Sequence, residues 1–222
     1  MSTLEDIRSR RCIRAFLPKP VPRDSLEHIL TTASYAPSGS NIQPWKVHVV
    51  TGALQKKISE DALAEADRGA TPWDYQYYPG TIEEPYLSRR RATGWGLYGL
   101  LGIAKGDRER SAAQSRRNLV FFDAPVGLFF FLDRSMPYGS WLDYGMFVQS
   151  VMIAARGLGL DTCPQAAWLP MHHIVRAHLD EPISNVLVCG MSLGYADTAA
   201  LVNTYRPERE PLAGFTTFHY DA

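Results

Sequence analysis

Cysteine is scarce in this sequence: Cys12, Cys163 and Cys189 are the only three in 222 residues. An odd, scattered set excludes a disulfide framework and fits a reducing compartment. There is no surplus of either charge, since Lys+Arg and Asp+Glu each count 23. No global field therefore favours nucleic acid or an anionic membrane, and any anion site has to be local. No apolar run is suited to spanning a bilayer. The best candidate, residues 141–155, carries Asp143 and Gln149 and runs into Arg156. The opening MSTLEDIRSRR lacks the apolar region of a secretory signal, so a cytoplasmic location is expected. No G-x-G-x-x-G stands in a βαβ setting, which excludes a dedicated dinucleotide-binding unit. Internal repeats, low-complexity tracts and domain boundaries are also missing, so residues 1–222 read as one domain.

What is present has the rhythm of an α+β chain. Ser2 or Thr3 caps a short helix over residues 4–8. A proline-rich connection, PKPVPRD, follows it. Asp24 is expected to cap a helix over residues 25–36, with Leu26, Ile29, Leu30 and Ala33 on one face. Residues 45–50 read as a strand and 53–66 as a helix. Helical patterns return at 86–104 and 109–118. VGLFFFL, residues 126–132, is a continuous apolar run and predicts a strand buried on both faces. The helix predicted over 141–156 is apolar on nearly every side, which suits a core or the core of a dimer. A short strand at 160–163, a helix through MHHIVRAHL and a last central strand at 185–191 complete the pattern. The tail TYRPEREPLAGFTTF holds two prolines and reads as extended.

Four stretches carry chemistry. RSRRCIRAF, residues 8–16, packs four arginines into nine residues. Extended alternation puts Arg10, Cys12 and Arg14 on one side, a cradle suited to a phosphate monoester with ribityl hydroxyls. The same run also reads as a solvated basic turn. APSGSNIQPW offers short polar groups, Ser38, Ser40, Asn41 and Gln43, on a backbone made supple by Gly39. It can wrap a polar heterocycle, or simply join a helix to a strand. TCPQAAW follows a strand end, where Ala166 and Ala167 let backbone amides approach a flat ligand, or it is simply a strand-to-helix turn. In TYRPERE, Arg206 and Arg209 can reach back to the anion of the N-terminal arginines, or belong to a solvated tail; Tyr205, Phe215 and Phe218 argue that the tail is bound to something.

Taken together and in this order, these stretches resemble the nitroreductase family of FMN-dependent oxidoreductases. The resemblance runs from Ile7 to Phe218, and the pairing of R-R-x-x-R-x-F with A-P-S-G-x-N-x-Q-P-W is its specific element. It implies a nitroreductase-like fold, with a small central mixed or antiparallel sheet among helices. It also implies an intertwined homodimer with an extended C-terminal segment and two FMN sites at the interface. By the resemblance, Arg10, Arg11, Cys12 and Arg14 hold the phosphate and the pyrimidine edge. Cys12 stands where the family usually has Ser, and a thiol is a weak donor. Pro37, Ser38, Gly39 and Asn41 match the loop that touches flavin from the other subunit. Gln165 and Ala166 match the segment whose backbone amide faces the flavin, and Arg209, with Arg206 as second candidate, the C-terminal phosphate contact. The implied activity is reduction of nitroaromatics, possible nitrobenzoates among them, by NADH or NADPH in a ping-pong cycle, with no essential catalytic side chain.

Residues 69–98 are expected to form a lid that selects the substrate. Trp73, Tyr75, Tyr77, Tyr78 and Tyr86 are candidates for an aromatic wall, with Trp73, Tyr86, Arg89 and Arg90 as the substrate contacts. At helical spacing only one or two of Arg89, Arg90 and Arg91 can face inward. The competing expectation pairs all three with Glu83, Glu84 and Asp107 or with solvent. His172, His173 and His178 read as surface or capping residues rather than metal ligands. Cys163 reads as a small buried thiol. Two alternatives stay open: a flavin-dependent halotyrosine dehalogenase, and a flavin-binding module without turnover.

Overall fold

The computed structural model describes residues 2–69 and 72–220. The part of the predicted lid at residues 70 and 71 lies outside the described residues. The elements run α1 (Thr3–Ser9), α2 (Arg23–Ala33), β1 (Lys46–Thr51), α3 (Gly52–Arg68), α4 (Tyr86–Leu100), α5 (Arg108–Arg116), β2 (Val126–Asp133), α6 (Tyr138–Gly157), β3 (Asp161–Gln165), α7 (His172–Leu179) and β4 (Asn185–Gly194), with short 3-10 turns between them. The strands form one sheet in the order β1-β2-β4-β3, every neighbouring pair antiparallel. Among the described residues, parallel pairing is limited to an isolated bridge between Cys12 and Thr162.

β2 explains the layering. It is central, and its alternate residues face opposite sides. Leu128, Phe130 and Leu132 pack with α2 and α6 through Leu26, Ile29, Tyr144, Phe147 and Val151. Phe129 and Phe131 pack the other way, with Ile58 of α3, Val175 of α7 and the turn residues Phe121 and Trp168. Helices thus cover both faces, so the whole VGLFFFL run is buried, as its unbroken apolar pattern predicts. Gly190 has to be a glycine in this core, because a Cβ there would sit 2.3 Å from the Trp168 ring.

Some boundaries differ from the sequence pattern. α2 starts at Arg23 after Pro22, with no side-chain cap. Asp24 lies inside the first turn, where its charge suits the helix dipole, instead of capping. α2 also ends at Ala33 rather than residue 36. α4 stops at Leu100, with Gly102 in the left-handed region (φ 63°) just beyond it. α5 gives way after Arg116 to a 3-10 turn, Arg117–Asp123, in which Phe121 and Phe122 adopt φ of 52° and 55° while buried. Their burial in the core outweighs the usual aversion of large side chains to that region. α6 buries one side only; Tyr138 and Leu142 on the other are 93% and 69% exposed. Among the described residues no helix is long and apolar enough to cross a membrane.

Candidate functional site

The arginine segment begins where α1 ends. Ser2 and Glu5 form a capping box at its start, and the Arg10 N–H donates to the Asp6 carbonyl at its finish. From Arg10 the chain is extended and runs beside β3, with the Ile13 N–H donating to the Thr162 carbonyl at 3.1 Å. Ile13 and Phe16 are buried. Arg10, Arg11, Cys12 and Arg14 are half-buried. Asn203, 2% exposed, pins this segment to the C-terminal stretch. Its Oδ1 accepts from the Arg14 N–H at 2.7 Å, its Nδ2 donates to the carbonyls of Ala15 and Asp197, both at 2.8 Å, and its own carbonyl accepts from Arg11 Nε at 2.9 Å.

Arg206 follows Asn203 by three residues, and its charge is felt at Arg11. Burial, then repulsion from Arg206, pushes the Arg11 guanidinium below its usual range. Cys12 is drawn down to about 6: a hydrogen bond from the Cys163 thiol is the main cause, burial opposes it, and Arg14 and Arg10 add to it. Cys163 moves upward in return. Asp161 is the nearby acid, and it is bound to Arg156 at 2.9 Å. Among the described residues none of Arg10, Arg11, Arg14 or Arg206 is in a salt bridge. Guanidiniums gathered without carboxylates form a donor set suited to a phosphate.

The loop at 37–41 lies elsewhere. Ser40, Asn41 and Gln43 take φ of 50°, 57° and 52°. Within the loop the Asn41 N–H donates to the Ser38 carbonyl at 2.9 Å, the Ile42 N–H to the Gly39 carbonyl at 3.1 Å and the Gln43 N–H to Ser38 Oγ at 3.0 Å, while the Gly39 N–H reaches out to Asp143 Oδ2 at 3.1 Å. Asp143 stands near the N-terminal end of α6. The arginine segment meets the far end, where Arg156 Nη2 donates to Ser9 Oγ at 3.3 Å. Thirteen residues of helix span about 20 Å. Within one chain, Pro37, Ser38, Gly39 and Asn41 are not brought to Arg10, Arg11, Cys12 and Arg14.

Gln165 closes β3, with its side chain 2% exposed and fully engaged. Nε2 donates to the Asn118 carbonyl at 2.8 Å, and Oε1 accepts from Ser192 Oγ at 2.9 Å. Any contact it makes with a ligand is left to its backbone. Ala166 is half-buried beside the same core.

The aromatic segment is fastened to β4. β3 pairs only with residues 190–194, which leaves Asn185–Cys189 of β4 unpaired on that side. Asp74 and Tyr75 cover this edge: Asp74 Oδ2 accepts from the Leu187 N–H at 3.2 Å, and Tyr75 Oη donates to the Val188 carbonyl at 2.8 Å. Asp74 also binds Arg134 at 2.7 Å and Arg176 of α7. Trp73, Tyr77 and Tyr78 then cluster, with centroids 4.7–6.3 Å apart. Arg90 of α4 lies over the Tyr78 ring at 4.7 Å. Tyr86 does not join this wall; its 64% exposed ring lies 5.8 Å from Arg89, which is bound to Glu210 at 2.7 Å.

The nitroreductase family model matches residues 7–195 of this chain. The chain belongs to the nitroreductase family. It is similar to a chloronitrobenzene nitroreductase of Comamonas testosteroni, 41% identical over 97% of this chain and 96% of that protein. A 4-nitrobenzoate reductase of Pseudomonas putida is 43% identical over 96% of this chain and 93% of its own. The solved structure of the FMN and NADPH-dependent nitroreductase NfnB from Sphigopyxis sp. strain HMH superposes with a TM-score of 0.97 at 36% identity, covering 100% of each chain.

In this nitroreductase the sequence located the arginine segment and missed what orders it. Asn203, Asp143 and Asn118 act on residues 189, 104 and 47 positions away. Asn203 lies immediately before the TYRPERE stretch, and that adjacency was its only signal. Arg206 and Arg209 are both exposed; Arg209 hydrogen-bonds the carbonyls of Pro207 and Glu208, while the charge of Arg206 is felt at Arg11. The histidines serve side-chain pairs: His172 with Arg176, His173 with Glu65 and His178 with Asp61.

Proposed function

We propose that this chain is an FMN-dependent reductase of nitroaromatic compounds that takes its electrons from NADPH or NADH. The cluster of Arg10, Arg11, Arg14 and Arg206, none of them in a salt bridge among the described residues, carries the reading, because its charge and guanidinium donors suit the FMN phosphate. Full-length likeness to nitroarene reductases supports it. Arg10, Arg11 and Arg14 would hold the phosphate from the N-terminal side and Arg206 from the C-terminal side. Asn203 keeps the two sides in register. FMN, when bound, supplies the hydride chemistry.

The distance along α6 supports a homodimer as the working unit. A second copy placed against the exposed Tyr138 and Leu142 side of α6 would bring its Pro37–Asn41 loop to the site that one chain leaves incomplete. Among the described residues there is no separate nucleotide unit, so donor and acceptor would use the same site in turn. Each two-electron step takes up two protons: nitro gives nitroso and water, and nitroso gives hydroxylamine. No side chain here is assigned as the acid, and solvent can supply the protons. Free thiols support a cytoplasmic location.

Anaerobic stopped-flow tests the reading. FMN-loaded protein is reduced with NADPH or NADH, then mixed with nitrobenzene, 4-nitrobenzoate or 3-iodotyrosine. Fast reoxidation by nitroarenes is the expected result. Reoxidation by iodotyrosine alone would make it a dehalogenase, and no reoxidation by any of them would leave a flavin-binding protein.

A further inference from the structure

The run Arg89-Arg90-Arg91 on α4 divides by partner. Arg89 is bound to Glu210. Arg91 lies in the field of Glu84, whose carboxylate accepts from the Ser88 N–H at 3.1 Å. Arg90 has no carboxylate partner among the described residues; its contact is the face of Tyr78. A guanidinium stacked on a ring keeps its N–H edge free, and that edge matches a carboxylate in a bidentate way.

The ring beneath Arg90 belongs to the anchored aromatic cluster. Tyr78 packs edge-on against Tyr77 at 4.7 Å, and Trp73 lies 6.1 Å from Tyr78. Asp74 fixes the segment between them to β4. Burial, above all, pushes the Tyr77 phenol upward. Tyr78, Cys189 and Cys12 add to the push. Tyr75, 6.3 Å from Tyr77, packs against the same core cluster as Cys12 and Ala166, which ties the aromatic wall to the arginine segment. A flat apolar wall with one free guanidinium at its rim fits an aromatic acid.

We propose that the acceptor site selects nitroarenes bearing a carboxylate, and that Arg90, held over Tyr78, is the residue that reads that charge. The inference rests on the reductase reading and narrows its substrate class, since family membership leaves the acceptor's charge open.

The test compares FMN-loaded wild type with Arg90→Gln, Arg90→Lys and Arg91→Gln, using 4-nitrobenzoate and nitrobenzene as acceptors. Arg90→Gln should lower kcat/KM for 4-nitrobenzoate roughly tenfold, chiefly through KM, and that for nitrobenzene far less. Arg90→Lys should recover part of the loss, and Arg91→Gln should keep the wild-type ratio. An unchanged ratio in Arg90→Gln would overturn the proposal. Benzoate, which is not reduced, supplies a second readout through the absorption spectrum of the bound flavin. Benzoate that binds wild type roughly tenfold tighter than Arg90→Gln supports the anion site even if neither nitroarene is turned over, in which case the reductase reading alone fails. Equal benzoate binding by both proteins refutes the Arg90 assignment even if both nitroarenes are reduced.

Discussion

The backbone N–H of Gly39 donates to the carboxylate of Asp143 at 3.1 Å, joining a loop of left-handed residues to a buried acid on α6. Bonds within the loop shape its turns, and this one fastens it to α6. Asp143→Ala should cost about 1–2 kcal/mol of stability, read by urea unfolding. It should also weaken FMN binding several-fold in a fluorescence titration, because the loop would meet the partner site in many conformations. Asp143→Asn keeps an acceptor oxygen and should lose less. Wild-type FMN affinity in Asp143→Ala would remove the loop from the site.

The arginines can be ranked. A charge-assisted hydrogen bond contributes about 1.5–3 kcal/mol, so Arg10→Ala or Arg14→Ala should raise the FMN dissociation constant roughly tenfold or more. Arg206→Ala should follow them, whereas Arg209→Ala should change it less than about threefold. Riboflavin, which lacks the phosphate, should bind all four variants about equally. If riboflavin were affected as strongly as FMN, the arginines would be supporting the fold and not the phosphate.

Cys12 makes the flavin-free protein sensitive to pH. Its thiol falls from 9.0 to about 6 through the Cys163 hydrogen bond, against burial and with help from Arg14 and Arg10. A group lowered on folding adds stability in full above its unfolded value and loses it as pH falls through its folded value. The contribution therefore grows between about pH 6 and pH 9. Ultraviolet thiolate absorbance should rise with a midpoint near 6. Cys12→Ser should remove both the step and the rise in stability. Loading with FMN should move the midpoint upward, because the phosphate competes for the same arginines.

Asp74 holds more than a loop. Its carboxyl stays below the usual range although burial raises it, because bonds from Arg134, Arg176 and the Leu187 N–H outweigh that burial. Asp74→Ala would strand Arg176, which is 7% exposed, without its counter-charge. A loss of about 3–5 kcal/mol in urea unfolding is expected. In wild type the same pair should weaken as pH falls below about 4, since the acid's contribution is complete only above the ordinary carboxylate value. Asp74→Asn keeps two acceptor contacts and should fall in between. A loss under about 1 kcal/mol for Asp74→Ala would show that solvent reaches Arg176 readily.

The sequence by itself determined the parts whose signal is local. The unbroken, Phe-rich apolar run of β2 predicts a strand covered on both sides, and periodicity placed α3, α4 and α6 within a few residues. The arginine segment was legible because charge density is written in adjacent positions. Tertiary structure decided the partners. Arg89 pairs with Glu210 and not with Glu83, Glu84 or Asp107, because the C-terminal stretch returns along α4. Tyr86 leaves the aromatic wall because Asp74 and Tyr75 fix that wall to the unpaired edge of β4. Asn203 and Asp143 look like ordinary loop and helix residues in the sequence. Their roles come from hydrogen bonds closed across more than a hundred positions, and such bonds depend on which surfaces the core brings together, a choice no local pattern encodes. The length of α6 likewise decided that one chain holds the arginine cluster and the Gly39 loop apart.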